Sequence, residues 1–301
     1  MMRIHVVAGT LIWAAVAGAA ACGYGPFWVL ETLFLLAVLV LVPQLLDLLG
    51  ITSGGRGLAA AALAGGAAAA ASFLLPRGWA SGALAAGWML FAALLTARRL
   101  LRARGDAVRD PAERLVTAAL LFLPIGGGWL VLSRLGARPL GFEEPVVLLT
   151  AIHFHFAGFT ACALVGRAGR EWPGSRAYGH LANGVAAGTP LLAAGITLSP
   201  ALEMAGAALL ATALLAFAAW QWRRLSLRGG AAPALLAVSG FCLLPSMAAA
   251  VAYAYGEWTE APLLALSWMA RVHGPLNALG FGLLGVLGWS LQPRNSGAAF
   301  R

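Results

Sequence analysis

The stretch LETLFLLAVLVLVPQLLDL (30–48) carries one carboxylate near each end, Glu31 and Asp47, and no charge between them. A helix needs about 20 predominantly apolar residues to cross about 30 Å of hydrocarbon, and the run around this stretch, residues 27–50, meets that length. Nine further runs of the same kind lie near 5–22, 57–75, 79–97, 115–134, 145–166, 178–198, 201–221, 231–253 and 261–290. Of the 301 residues 61% are hydrophobic and only 10% charged. A water-soluble globule of that composition could not cover its surface. Most of the runs are dense in Ala and Gly, and small residues let helices approach closely where no hydrophobic force drives them together.

The predicted fold is therefore all-α: a polytopic integral membrane bundle of ten transmembrane helices, forming a single membrane domain over 1–301. The longest polar segment, 98–114, reads as a cytoplasmic connector between the fourth and fifth helices. No internal repeat is evident, which weighs against a transporter built on inverted repeats. The first span begins with a basic residue and ends Ala-Gly-Ala-Ala-Ala-Cys22, as signal peptides do; it is read as a retained helix.

All twenty basic residues are Arg, eleven residues are acidic and the formal net charge is +9. The absence of Lys excludes Schiff-base chemistry and a P-loop lysine. In a soluble protein such a charge would suggest nucleic acid. Here the arginines sit in clusters between apolar runs, where the positive-inside effect accounts for them, and no nucleic-acid partner is expected. With the N-terminus cytoplasmic, sixteen arginines fall on inner segments and three, Arg77, Arg134 and Arg138, on outer ones, while Arg271 lies inside the last span. Both termini are then cytoplasmic. Cys22, Cys162 and Cys242 are far apart in sequence and imply neither a disulfide framework nor a zinc motif. No CxxCH is present and no cofactor is expected.

Polar residues within the spans carry the functional information, because a charge near the bilayer centre costs several kcal/mol unless it is paired or faces a cavity. A rise of 1.5 Å per residue from each outer helix end places Glu31 about 6 Å deep, Glu203 about 5 Å, His153 about 12 Å and His273 about 18 Å. All four are in the outer half and come from four different spans, so a bundle can gather them around one outward-facing pocket. His153 and His155 are about 200° apart on a regular helix, so only one of them is expected in that pocket. His273 and Asn277 share a face. Arg271 points the other way and needs a partner, for which Glu203, Glu31 and Glu257 are candidates. Pro275, after Gly274, should kink the last helix and free carbonyls near the site.

The segments TAIHFHFAGF (150–159), MARVHGPLNALGFGLLGVLGW (269–289), LETLFLLAVLVLVPQLLDL (30–48) and ALEMAGA (201–207) resemble those of the YndJ-like family of bacterial polytopic membrane proteins. The resemblance runs along most of the chain. It implies an architecture, a bacterial cytoplasmic membrane, and a site at His153, His155, His273, Asn277, Glu31 and Glu203, where the family's patterned polar residues fall. It implies no chemistry.

The residues themselves admit two main functions. One is a membrane enzyme whose pocket takes a lipophilic, lipid-like or isoprenoid-like substrate from the outer leaflet. His153, His155, His273, Glu31 and Glu203 would serve as acid and base. Asn277, Arg271, Phe154, Phe159 and Trp268, with Phe156 and Phe281, would bind the substrate, and their aromatic faces could stabilise positive charge. The other is a transporter of a small solute or proton, with Gly126-Gly127-Gly128 and Gly274-Pro275 as hinges; it needs a polar route inward, where only Gln44, Asp47 and His180 offer one. A purely structural subunit is a third reading. A metal site ranks below metal-free acid/base work, because HxxxH and ExxH spacings are missing and the carboxylates lie about 12 Å nearer the surface than His273 by the same helical rise. Only Gly158 offers a cause for a π-bulge that would realign His155. The expected topology is checked with reporter fusions at 105, 140, 172, 226 and 257, which should read in, out, in, in and out; a periplasmic signal at 105 would overturn it.

Overall fold

The computed structural model describes residues 4–23, 28–54, 56–102, 109–173, 175–225 and 229–292, and all regular structure among them is helical. In chain order the helices are α1 (Ile4–Ala21), α2 (Val29–Leu48), α3 (Arg56–Ser72), α4 (Trp79–Arg102), α5 (Pro111–Leu135), α6 (Val146–Glu171), α7 (Arg176–Leu198), α8 (Pro200–Leu225), α9 (Ala231–Trp258) and α10 (Leu266–Leu291). Among the described residues, the eight helices other than α1 and α3 are long and apolar enough to span a membrane. The other two are shorter apolar helices of 18 and 17 residues.

Two boundaries differ from the sequence reading. Residues 98–102 and 111–114 are helical, so the connector shrinks to the segment between them, of which 103–108 lie outside the described residues. Long Arg side chains let a helix continue past the apolar boundary while their charges stay in water. The last helix starts at Leu266 and not at 261: Ala261 N–H closes back on Gly256 O at 3.0 Å, Glu260 adopts a positive φ of 56°, and Pro262 follows.

Helices α2 and α6 form the centre. In each, 72% of the apolar window is buried, more than in any of the other six long helices. Helix α2 touches α1, α3, α6 and α10, while α6 to α10 close a ring in which α10 returns to α6. Both central helices, and α10, leave the α-helical path: Ala37–Leu41, Phe154–Thr160, Met269–His273 and Leu276–Leu283 are π-helical. Pro43 and Pro275 remove donors nearby, and a π-turn misaligns the backbone ladder. Side chains then take up carbonyls. Thr160 donates to His155 O (2.9 Å), Thr189 of α7 to Ala157 O (3.1 Å), and Ser239 of α9 to Phe281 O (2.8 Å). The approach of α1 to the α2 π-segment is so close that a Cβ on Gly9 would lie 2.1 Å from Leu39 O.

The bundle's two ends differ. At the arginine-rich end Arg170 grips Glu113 through Nε (2.6 Å) and Nη2 (2.9 Å) and gives Nη1 to Leu49 O (2.8 Å), while Arg99 Nη2 reaches the same carboxylate at 2.8 Å. One carboxylate thus ties α4, α5, α6 and the end of α2. Beside it Trp172 meets Trp220 and Trp289, each at 5.4 Å between ring centroids, and Arg167 lies 4.6 Å over Trp289. Aromatic pairs of this kind add about 0.5–1.5 kcal/mol each beyond burial. At the arginine-poor end Ser133 donates to Glu144, and buried Arg134 donates to Leu75 O (2.9 Å) and lies 4.9 Å from the Phe73 centroid.

The position of an ion pair decides its worth. Glu113→Ala strands two partly buried guanidinium groups and should cost about 2–4 kcal/mol, whereas Glu143→Ala, at the exposed pair with Arg138, should cost about 0–1 kcal/mol. Melting temperatures of the two purified variants check this; equal shifts would refute it.

Candidate functional site

Within the ring α6–α10, closed on its remaining side by the start of α2, lies a cavity of about 630 Å³. Its lining comes from the arginine-poor halves of these helices, and an apolar cavity of this size with few polar groups is what a small-molecule site requires. The floor is apolar: Ala161, Leu214 and Phe281. Below it Phe281 meets Phe217 (6.4 Å), and Phe217 meets Trp220 (6.2 Å) in the aromatic stack of the arginine-rich end. The packing beneath the floor is aromatic and ion-paired.

His153, His273, Asn277 and Glu203 line this one cavity, together with Phe154, Phe156 and Phe281. His153 and His273 each stand seven residues into their helices, hence about 10 Å from the helix starts by the 1.5 Å rise. They are level because α10 begins at Leu266, which removes most of the extra depth the sequence assigns to His273. Glu203 is three residues into α8, about 5 Å deep by the same rise.

Five of the candidate residues lie elsewhere. Glu31 accepts from Trp28 N–H (3.1 Å) and caps the start of α2. Phe159 is fully buried in the core. Trp268 and Arg271 are exposed on the far side of α10, and among the described residues Arg271 makes no ion pair. His155 is buried against Phe34 (4.9 Å between centroids) and Trp88, away from the cavity. The π-helix reshapes the local turn, yet His153 and His155 still diverge. Room for the inward imidazole comes from Gly126, where a Cβ would lie 2.6 Å from His155 Nδ1. Gly126 and Gly127 lie in a continuous helix at close contacts, Gly127 against Met89.

Hydrogen bonds sort the three histidines chemically. A carbonyl only accepts, so a ring nitrogen bonded to one carries the proton. By that rule Nδ1 is the donor in all three: to Leu149 O in His153 (3.2 Å), to Ala151 O in His155 (2.8 Å) and to Ser246 O in His273 (2.9 Å). The lone pair then sits on Nε2. In His155 it accepts from Trp88 Nε1 (2.9 Å), and in His273 from the Asn277 amide (3.1 Å). Among the described residues His153 Nε2 has no partner, and the side chain is exposed to the cavity. His155 is a scaffold residue, His273 is held in a network with Asn277 and Ser246, and His153 is the histidine whose basic nitrogen is available.

The structure adds groups that the sequence reading did not place here. Glu257 and Tyr253, four apart on one face of α9, line the cavity near Glu203, close enough for the three to interact electrostatically. Their i, i+4 spacing is the signal that could have found them. Ser246, behind Pro245, anchors His273 but does not line the cavity. Among the described residues no three His, Cys, Asp or Glu side chains gather as metal ligands would.

The scaffold and cavity roles separate in a stability measurement. His155→Ala leaves the Trp88 N–H buried without an acceptor and opens a void, for about 2–4 kcal/mol lost. His153→Ala should change the melting temperature little, since that side chain already faces open space; the reverse order would reject the assignment.

Comparison with known proteins places this architecture. The YndJ-like protein family matches residues 32–281, which include His153, His155 and His273 and nearly the whole cavity lining. The uncharacterized membrane protein YndJ of Bacillus subtilis (strain 168) is 27% identical over 217 residues, covering 70% of this chain and 39% of the relative. The chain thus spans about two-fifths of the length of that curated relative. No solved structure matches. A match over most of the chain, on the residues that build the bundle and its cavity, makes this integral membrane protein a member of the YndJ-like family.

Proposed function

We propose that the cavity is the active site of an acid/base enzyme of a bacterial cytoplasmic membrane, opening outward and taking a lipophilic substrate from the outer leaflet. The observation that carries this reading is the cavity's asymmetry: it lies in the arginine-poor half and rests on an apolar floor with aromatic packing beneath it, above the Glu113 clamp. A blind, mostly apolar cavity suits a molecule that enters and leaves by the same end. Alternating access has less support, because Phe217, Trp220 and Trp172 occupy the half it would need to open.

In this reading His153 is the base. Its Nδ1–H bond to Leu149 O orients the ring and leaves Nε2 for a substrate proton. His273 and Asn277, held in place by Ser246 behind them, present a fixed polar patch at the same depth, suited to a polar atom along the substrate's chain. His153 takes the proton and returns it, while the carboxylates of Glu203 and Glu257, with Tyr253 beside them, face the entering substrate. Phe154, Phe156 and Phe281 provide the apolar walls.

The reading is tested on protein extracted in a mild detergent, by mass spectrometry of what it retains. About one amphiphile per chain should co-purify, and Ala250→Trp, which fills space at the lining, should abolish it. His153→Ala should retain a molecule of different mass, because substrate accumulates where chemistry stops. The same molecule in wild type and His153→Ala would leave a binding site and remove the enzyme. No bound amphiphile in either would remove both.

A further inference from the structure

The charges around the cavity select among the ligands it can hold. Among the described residues its ionisable lining groups are His153, Glu203, Tyr253, Glu257 and His273, and no Arg is among them. Nearby arginines are engaged or turned away: Arg77 lies 3.8 Å from Glu144, Arg138 is 2.8 Å from Glu143, Arg134 is held at Leu75 O and Phe73, and Arg271 is outside the cavity. Among the described residues neither Glu203 nor Glu257 has an ion-pair partner. Two carboxylates therefore face one opening, near enough to repel one another, with no cation to balance them.

Depth orders the groups. Glu203 is in the first turn of α8 and Glu257 is the penultimate residue of α9, so both stand at the rim. The histidines come about 6 Å deeper by helical rise, and the floor is hydrocarbon. Trp129, Phe142 and Phe154 also line the cavity, and aromatic rings attract cations over their faces.

We infer that the ligand is an amphiphile whose polar end is a cationic amine, held at the rim by Glu203 and Glu257, with its chain lying past the histidines against the floor. This rests on the reading above that the cavity takes a lipophilic molecule, and adds the sign of its head group. An anionic head, phosphate or carboxylate, would meet two like charges and no guanidinium. A neutral hydroxyl would donate one hydrogen bond to the rim but bring no charge to balance it. A primary amine is an ammonium ion at neutral pH, so it supplies the missing positive charge.

The test uses three probes of equal chain length, dodecylamine, dodecanol and dodecanoate, competing with a diazirine-bearing dodecanol for photolabelling of the full chain in dodecyl maltoside at neutral pH. The label should map to cavity-lining residues of α6–α10. Dodecylamine should compete about fivefold better than dodecanol, the scale of a partly exposed ion pair with a cation–π contribution, and dodecanoate worse than either. In the double variant Glu203→Gln/Glu257→Gln, the amine preference should fall to about twofold, the part that the cation–π contacts supply. These substitutions sit at the rim, and an unchanged melting temperature and elution volume establish that the fold is intact. Equal competition by all three probes in wild type, or an amine preference undiminished in the double variant, would overturn the cationic ligand while leaving the lipophilic cavity standing. Label that fails to reach the cavity, or labelling that Ala250→Trp leaves unchanged, would overturn the cavity reading itself.

Discussion

Within hydrocarbon every backbone polar group must find its partner inside the protein, because no water is there to supply one. The bundle meets this demand while placing π-helical segments in three of its helices. Thr160 and Thr189 take up carbonyls of the α6 π-segment, Ser239 one of α10, and Trp13 donates to Thr32 O of α2 at 3.0 Å. Irregular backbone at membrane depth persists only where it is enclosed by protein or lines a cavity; the π-segments of α2 and α6 are buried, and those of α10 border the cavity through Met269, His273 and Asn277. The cavity exists where it does because these helices can depart from the regular path without exposing unpaired backbone to lipid.

The same constraint explains the contrast between the two ends. At the arginine-rich end the Glu113 clamp and the tryptophan cluster fix α2, α4, α5, α6 and α10 against one another, with charges that water can reach at the margin. Above that end the ring α6–α10 opens. Small residues set how far: Gly188 and Gly206 bring α7 and α8 into backbone contact, a Cβ on Gly206 falling 2.5 Å from Leu192 N, while Ala207 and Ala211 line the cavity.

Chemical specialisation among the histidines follows from where the π-segment begins. Residues 153 and 155 straddle its start, so one imidazole faces the cavity and the other the Phe34–Trp88 core. Trp88, which can only donate, consumes the lone pair of His155; Asn277 consumes that of His273. Among the described residues only His153 thus turns an unengaged ring nitrogen to the cavity, a difference between imidazoles that a composition alone would not show.

Apolar run length, the Ala and Gly content and the arginine clusters were legible in the sequence, because each reports directly on the solvent a segment must meet. The helical class, the segments that form helices and the shared face of His273 and Asn277 follow from that and from helical periodicity. The divergence of His153 from His155 was legible too, since two residues along a helix turn it most of the way round. Depth from sequence put Glu31 level with Glu203, but only the fold shows Glu31 spent on the Trp28 N–H and Glu203 facing a cavity. Arg271, for which the sequence demanded a partner, sits on the exposed side of α10, a matter of which way a helix is rotated in the bundle. Tyr253, Glu257 and Ser246 became neighbours of Glu203 and His273 through the packing of α9 against α8 and α10. What the sequence by itself determined is an all-α bundle of apolar helices, because the apolar length of each segment depends on that segment's own residues. Which polar side chains share a cavity was decided by tertiary structure, because it depends on contacts between helices far apart in the chain.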